Sequence, residues 1–210
     1  MSEPKKVFAW EDKSTWSINR DNYLDGYTHI RGYHGYRPIS IESYYNSGFL
    51  PPDVNEMLKK TLSILGGNGI LENQIVSMFY EMWNNYPDKG IYFTLSKKEL
   101  LEKCGHYLIY GSELICSIAR QFGLDAVIKS QGTPTLFTVD IPINQIDFTT
   151  GDIELLYLYV EENNSCTTPP AVNYGFPVYG LIEQNLIMAH EHPKKIHDPL
   201  NWGTYYTHSK

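Results

Sequence analysis

The stretch RGYHGYRP, residues 31–38, decides how this chain is read. It sets two glycines, two tyrosines and a histidine between a pair of arginines. Glycine lets a backbone come close to a neighbour, and imidazole both donates and accepts hydrogen bonds. With YTHI in front of it, the segment 27–35 reads as a short strand ending in a glycine turn. Alone, such a turn is ordinary edge-strand chemistry. It gains meaning beside a second stretch, Gly90-Ile91-Tyr92-Phe93, more than fifty residues later.

Working outward, Pro38 opens ISIESYYNSGFLPP, and proline in a first turn with Gly48 past the end predicts a short helix. Asp53 caps DVNEMLKKTLSIL, whose apolar residues Val54, Met57, Leu58, Leu62 and Leu65 follow helical spacing. After GGNG the pattern returns with Ile70, Ile75, Met78, Phe79 and Met82, so two helices are expected over 53–86. GIYFTL, 90–95, reads as a strand, and Ser96 is placed to cap KKELLEKC. GHYLIYGSELICSIARQFG, 105–123, reads as one longer helix turning Leu108, Ile115, Ile118, Ala119 and Phe122 inward. Strands are expected at AVIKS (126–130), TLFTVDIP (135–142), IELLYLYV (153–160) and FPVYGLIEQNLIMAH (176–190), the last broken near Gly180. Turn residues throughout 161–175 mark a mobile loop. Helices first and strands after predict one α+β domain over 1–210 with a mostly antiparallel sheet. Residues 1–20 form an N-terminal arm anchored by Trp10 and Trp16, and 53–88 a helical insertion.

The chain has 210 residues, 42% of them hydrophobic, and carries a formal charge of −7. That charge argues against nonspecific binding to nucleic acid backbones or anionic membranes. No apolar run approaches the ~20 residues that span a bilayer, and MSEPKKVFAWEDK lacks the apolar centre of a signal peptide. Cys104, Cys116 and Cys166 are odd in number and lack C-x-x-C spacing, as expected of reduced thiols in a cytoplasmic protein. The 17 tyrosines suit half-buried sheet positions or a ring-lined site.

YHGYRPISIESYYNSGFLP and GIYFTLSKKELLEKCGHY, in that order, resemble the ADP-ribosyltransferase superfamily. The nearer branch is the H–Y–E class of diphtheria-type toxins and poly(ADP-ribose) polymerases. The resemblance covers about half of the chain. It implies a split, mostly antiparallel sheet, with 53–88 inserted between the first two motifs, and NAD as co-substrate. It gives catalytic roles to His34, Tyr92 and a glutamate opening a later strand, for which Glu154 is the first choice and Glu162 and Glu183 the alternatives. NAD contacts are implied for His34, Gly35, Tyr36, Tyr92, Phe93, Tyr107 and Tyr110. His34 would hold a ribose hydroxyl, Gly35 would let the backbone reach the carboxamide, and Tyr92 and Tyr107 would sandwich the cationic nicotinamide. Tyr36 departs from the family's usual Ser or Thr. The family includes toxins and effectors, and the acidic charge favours a protein or small-molecule acceptor over nucleic acid.

Two other readings compete. One is a catalytically degenerate version of the same fold that docks on a protein through its tyrosine-rich face. The other is a metal-dependent hydrolase built on His190 and His192 in MAHEHPKKIHDP, since H-x-H on a strand turns both imidazoles to one face. The third ligand for such a site is undefined, and His197 lies between Pro193 and Pro199 in what reads as a terminal loop.

Overall fold

The structure, a computed structural model, describes residues 4–16, 24–85, 89–148, 150–201 and 203–208. Among these, in chain order, run β1 (Val7–Phe8), β2 (His29–Tyr36), α1 (Glu42–Ser47), α2 (Val54–Leu65), α3 (Glu72–Asn85), β3 (Ile91–Thr94) and α4 (Lys97–Glu102). Then follow α5 (His106–Tyr110), α6 (Glu113–Gln121), α7 (Asp125–Ser130), β4 (Thr135–Pro142), α8 (Thr150–Asn163), β5 (Gly175–Val178), β6 (Ile187–Glu191), β7 (Lys195–Asp198) and β8 (Thr204–Thr207). The ends of the expected arm (1–3 and 17–20) and of the expected insertion (86–88) lie outside the described residues.

The fold is α+β around one mostly antiparallel sheet in the order β5-β3-β2-β4-β6, with β1 joining β2 in parallel. Strand β2 is its axis, pairing with β4 along its full length from His29↔Pro142 to Tyr36↔Thr135. On its other edge β2 meets β3 at a single pair, Tyr33↔Thr94. Beyond that pair the two strands part, so His34, Gly35 and Tyr36 face an opening where a neighbouring strand would lie.

Alternation along the strands sends side chains to two cores. Ile30, Ile91, Phe93, Phe137, Val139, Ile141, Phe176 and Val178 meet Phe8 and Trp10 on one face. Tyr33 and Leu136 meet α3, α5 and α6 on the other, through Phe79, Leu108, Ile115 and Ile118. Gly32 is glycine because a Cβ there would come within 2.8 Å of Ile141 Cδ1. The N-terminal arm is tied down by Trp10, which stacks on Trp16 at 4.7 Å and donates from Nε1 to the Pro170 carbonyl at 2.8 Å. The same bond, with Lys13 Nζ donating to the Cys166 carbonyl, pins the loop that the sequence marks as mobile.

Three expectations need correction. The 105–123 helix is two helices, because Gly111 takes φ +78 and ends α5, while Ser112 in extended conformation restarts the chain as α6. AVIKS is helix α7: its β-branched residues suggest a strand, but the segment follows α6 through Gly123 at φ +68 and buries Ile128 alone. IELLYLYV is helix α8, not a strand. Its Leu156 and Val160, four apart, pack into the first core, while Leu155 and Leu158 are exposed. Helices therefore continue into the second half of the chain. The stretch 176–190 divides into β5 and β6, with a 3-10 turn at Gln184–Leu186 between them.

Candidate functional site

The opening between β2 and β3 is the mouth of a cavity of about 830 Å³, within the range of small-molecule sites. Its floor is the end of β2. His34 is half-buried there, and its Nδ1 lies 2.8 Å from the Tyr92 carbonyl oxygen. That carbonyl can only accept, so Nδ1 carries the proton and Nε2 is left as an acceptor. Burial holds the His34 imidazole neutral, lowering its pKa to about 4 against the smaller upward effect of the Tyr92 hydrogen bond. Phe49 meets the imidazole edge-on at 5.2 Å and Tyr36 lies nearly parallel to it at 6.0 Å.

Phe49 is held by a local device. Gly48 ends α1 at φ +72 and ψ −161, and Phe49 then exchanges two hydrogen bonds with Ile182, at 2.9 and 3.1 Å. A Cβ on Gly48 would fall 2.0 Å from the Ile182 carbonyl oxygen. Beyond this turn, Asp53 accepts from the backbone N–H groups of Asn55 and Glu56 to start α2, and α2 forms one cavity wall. Lys60 from that wall lies over the Tyr36 ring at 4.5 Å and donates to its hydroxyl. Tyr36, the departure from the family pattern, thus links β2 to the helical hairpin.

The opposite wall comes from β3, α5 and α6. Tyr92 and Tyr107 both line it, and the Tyr107 hydroxyl donates to Glu113 Oε2 at 3.2 Å. The rim is mixed in charge: Lys59 pairs with Glu56 at 2.7 Å, and Lys89 lies over the Trp83 ring at 4.8 Å.

Of the residues singled out by sequence, His34, Gly35, Tyr36, Tyr92 and Tyr107 meet at this cavity. Gly35 has a packing reason to be glycine, since a Cβ would lie 3.2 Å from Leu108 and 3.3 Å from Leu100. Phe93 lies in the core under His34, at 5.4 Å between rings, and does not line the cavity. Tyr110 faces away: it is buried, and its hydroxyl donates to Asp198 at 2.9 Å. Glu154 and Glu162 are exposed on α8 and Glu183 is exposed before the 3-10 turn; none of the three lines the cavity. Sequence reading missed Glu113 and Lys60. Gly111-Ser112-Glu113 carries a helix-start signal, small cap then acid, that would have exposed the break and placed Glu113 beside Tyr107.

His190 and His192 project from the far edge of the sheet with ring centres 5.3 Å apart. Their Nδ1 atoms are 2.8 Å from the Tyr45 hydroxyl and 3.0 Å from the Pro134 carbonyl. Among the described residues no group of three or more His, Cys, Asp or Glu is arranged to hold a metal ion. Nor, among them, is any helix long and apolar enough to cross a membrane. No family model, curated protein or solved structure matches the chain.

Proposed function

We propose that this chain is an NAD-dependent ADP-ribosyltransferase of the H–Y–E class, transferring ADP-ribose to a protein or small-molecule acceptor with release of nicotinamide. One observation carries the reading: His34 and Tyr92, from motifs 58 residues apart, are hydrogen-bonded to each other at a cavity that Tyr107 also lines. That arrangement suits a flat cationic ring joined to a sugar. The tyrosine rings attract the charged nicotinamide. The neutral His34 accepts a hydrogen bond from a ribose hydroxyl at Nε2, in a geometry fixed by its Nδ1 bond to the Tyr92 carbonyl. At the rim Lys59, Lys60 and Lys89 supply cations for the diphosphate. The apolar floor excludes water from the bond that breaks.

A second reading is favoured by one specific observation. Glu154, Glu162 and Glu183 all lie off the cavity, as in a degenerate fold that binds without turnover. In that version the fold docks on a protein through its tyrosine-rich face, and release of nicotinamide separates the two.

The test is the melting temperature with and without millimolar NAD, with His34→Ala as control. A ligand at about 100 times its Kd stabilises by about 2.7 kcal/mol, or roughly 5–11 °C for a chain of this size. A shift that the variant loses supports the site. No shift in the wild-type chain refutes the reading.

A further inference from the structure

Arg37 follows β2 directly but does not line the large cavity. It is only 8% exposed. Its Nε donates to the Gln131 carbonyl at 2.5 Å, and its Nη2 donates to the Lys129 carbonyl and, at 3.1 Å, to the Tyr206 hydroxyl. The Tyr206 ring lies 5.3 Å from the guanidinium carbon. All of these partners are neutral. Nη1 is buried and, among the described residues, has no hydrogen-bond partner. Nor, among them, does any carboxylate come within ion-pair distance of Arg37. Asp198, the buried acid of this region, is taken by Tyr110, Asn201 and Lys129.

A guanidinium stays protonated in proteins, so the interior here holds a full positive charge. Carbonyl and hydroxyl partners satisfy its N–H groups without neutralising it, and a buried charge without a counter-charge is costly. A second, small cavity lies against this residue, with a volume of about 20 Å³. Its polar lining is Arg37, Lys60, Tyr36, Tyr110, Ser112 and Gln131, and the rest is isoleucine and glycine. Two of those side chains are cations and none is an acid. The volume takes one group of about water size, too little for a sulfate, a phosphate or a carboxylate.

We infer that this small cavity is a binding site for a single monatomic anion of the halide class, chloride in ordinary solution. The Nη1 hydrogens of Arg37 hold it, and Lys60, whose ammonium is bonded to the Tyr36 hydroxyl, adds a second positive charge. Water in the same place would satisfy the N–H groups and leave the charge unbalanced, whereas an anion does both. Because the lining comes from the end of β2, from α2, α6 and α7, the anion ties the helical hairpin and α7 to the site strand. The site is independent of what the large cavity holds, so a chain that binds no NAD keeps it.

The experiment follows thermal unfolding at fixed pH and ionic strength while sodium gluconate, whose anion exceeds the cavity, is replaced by sodium chloride or bromide. The wild-type Tm is expected to climb with halide and level off, with a rise of about 2–4 °C once chloride reaches about five times its Kd. Arg37→Gln should lose that dependence, and Lys60→Met should raise the halide concentration needed. A wild-type Tm equal in gluconate and chloride overturns the inference, as does a halide dependence that folded Arg37→Gln keeps in full. Arg37 also ties α7 to β8, so its variant can fail to fold; crystals of the wild type grown in bromide then decide. A bromide anomalous peak beside Nη1 supports the site. Bromide only elsewhere, or water alone in the small cavity, overturns it.

Discussion

Gly48→Ala should be among the most damaging single-methyl changes in this protein. At φ +72 and ψ −161 its backbone lies where essentially only glycine resides, and a side chain there costs about 1–3 kcal/mol. The added Cβ would also stand 2.0 Å from the Ile182 carbonyl oxygen and 3.0 Å from its carbon. Those are backbone atoms that no rotamer change moves aside. Relief requires the Phe49–Ile182 bridge to open, with loss of two hydrogen bonds worth about 1 kcal/mol each. Together these give about 3–5 kcal/mol, or a fall in Tm of roughly 6–20 °C. Gly67→Ala is the matched control: φ is +75, but nothing lies within 4 Å of its Cβ. Only the left-handed penalty of about 1–2 kcal/mol applies there, roughly 2–8 °C. Thermal unfolding of the two variants by circular dichroism makes the comparison. Because Phe49 packs edge-on against His34, Gly48→Ala should also weaken NAD binding at temperatures where it remains folded. A Gly48→Ala variant no less stable than Gly67→Ala would refute the account of the turn.

Further outcomes follow from the same geometry. His34 in the unfolded chain titrates near the ordinary 6.5, whereas folded His34, desolvated, stays neutral down to about 4. Above pH 6.5 it contributes no pH dependence; between about pH 6.5 and about pH 4 the unfolded chain takes up the proton first and stability declines. His34→Asn should therefore lessen the loss of Tm between about pH 7 and about pH 5. Lys60→Ala should weaken NAD by about 1 kcal/mol, near fivefold in Kd by titration calorimetry, and leave binding of nicotinamide alone unchanged. Asp198 is buried and accepts from Tyr110, Asn201 and the Leu200 N–H, bonds that hold its carboxyl below the ordinary range although burial pushes the other way. Asp198→Asn should cost about 2 kcal/mol, read as roughly 4–8 °C in Tm, without altering nicotinamide release.

Some of this architecture is legible in local sequence. Ser96 and Asp53 cap helices as their residue types require, and the Val54, Met57, Leu58, Leu65 spacing puts α2 against the core. TLFTVDIP is a strand at the expected bounds. The misread segments share a cause: IELLYLYV and AVIKS are rich in β-branched and aromatic residues, and apolar runs of that length carry no decisive period. Tertiary position settles them, α8 closing the first core with Leu156 and Val160. At the site, His34, Gly35 and Tyr92 were visible because each motif is contiguous. Glu113 was not, since it depends on a backbone reversal at Gly111 that a helical periodicity conceals. The resemblance gives Tyr110 an NAD contact, yet the Asp198 carboxylate draws its hydroxyl into the interior.

The measurement that bears most directly on the central claim is a crystal structure of the protein grown with NAD at saturating concentration. The account predicts the nicotinamide between Tyr92 and Tyr107, a ribose hydroxyl on His34 Nε2 and the diphosphate toward Lys60. Dinucleotide bound elsewhere, or a cavity still without it at that concentration, would contradict the account.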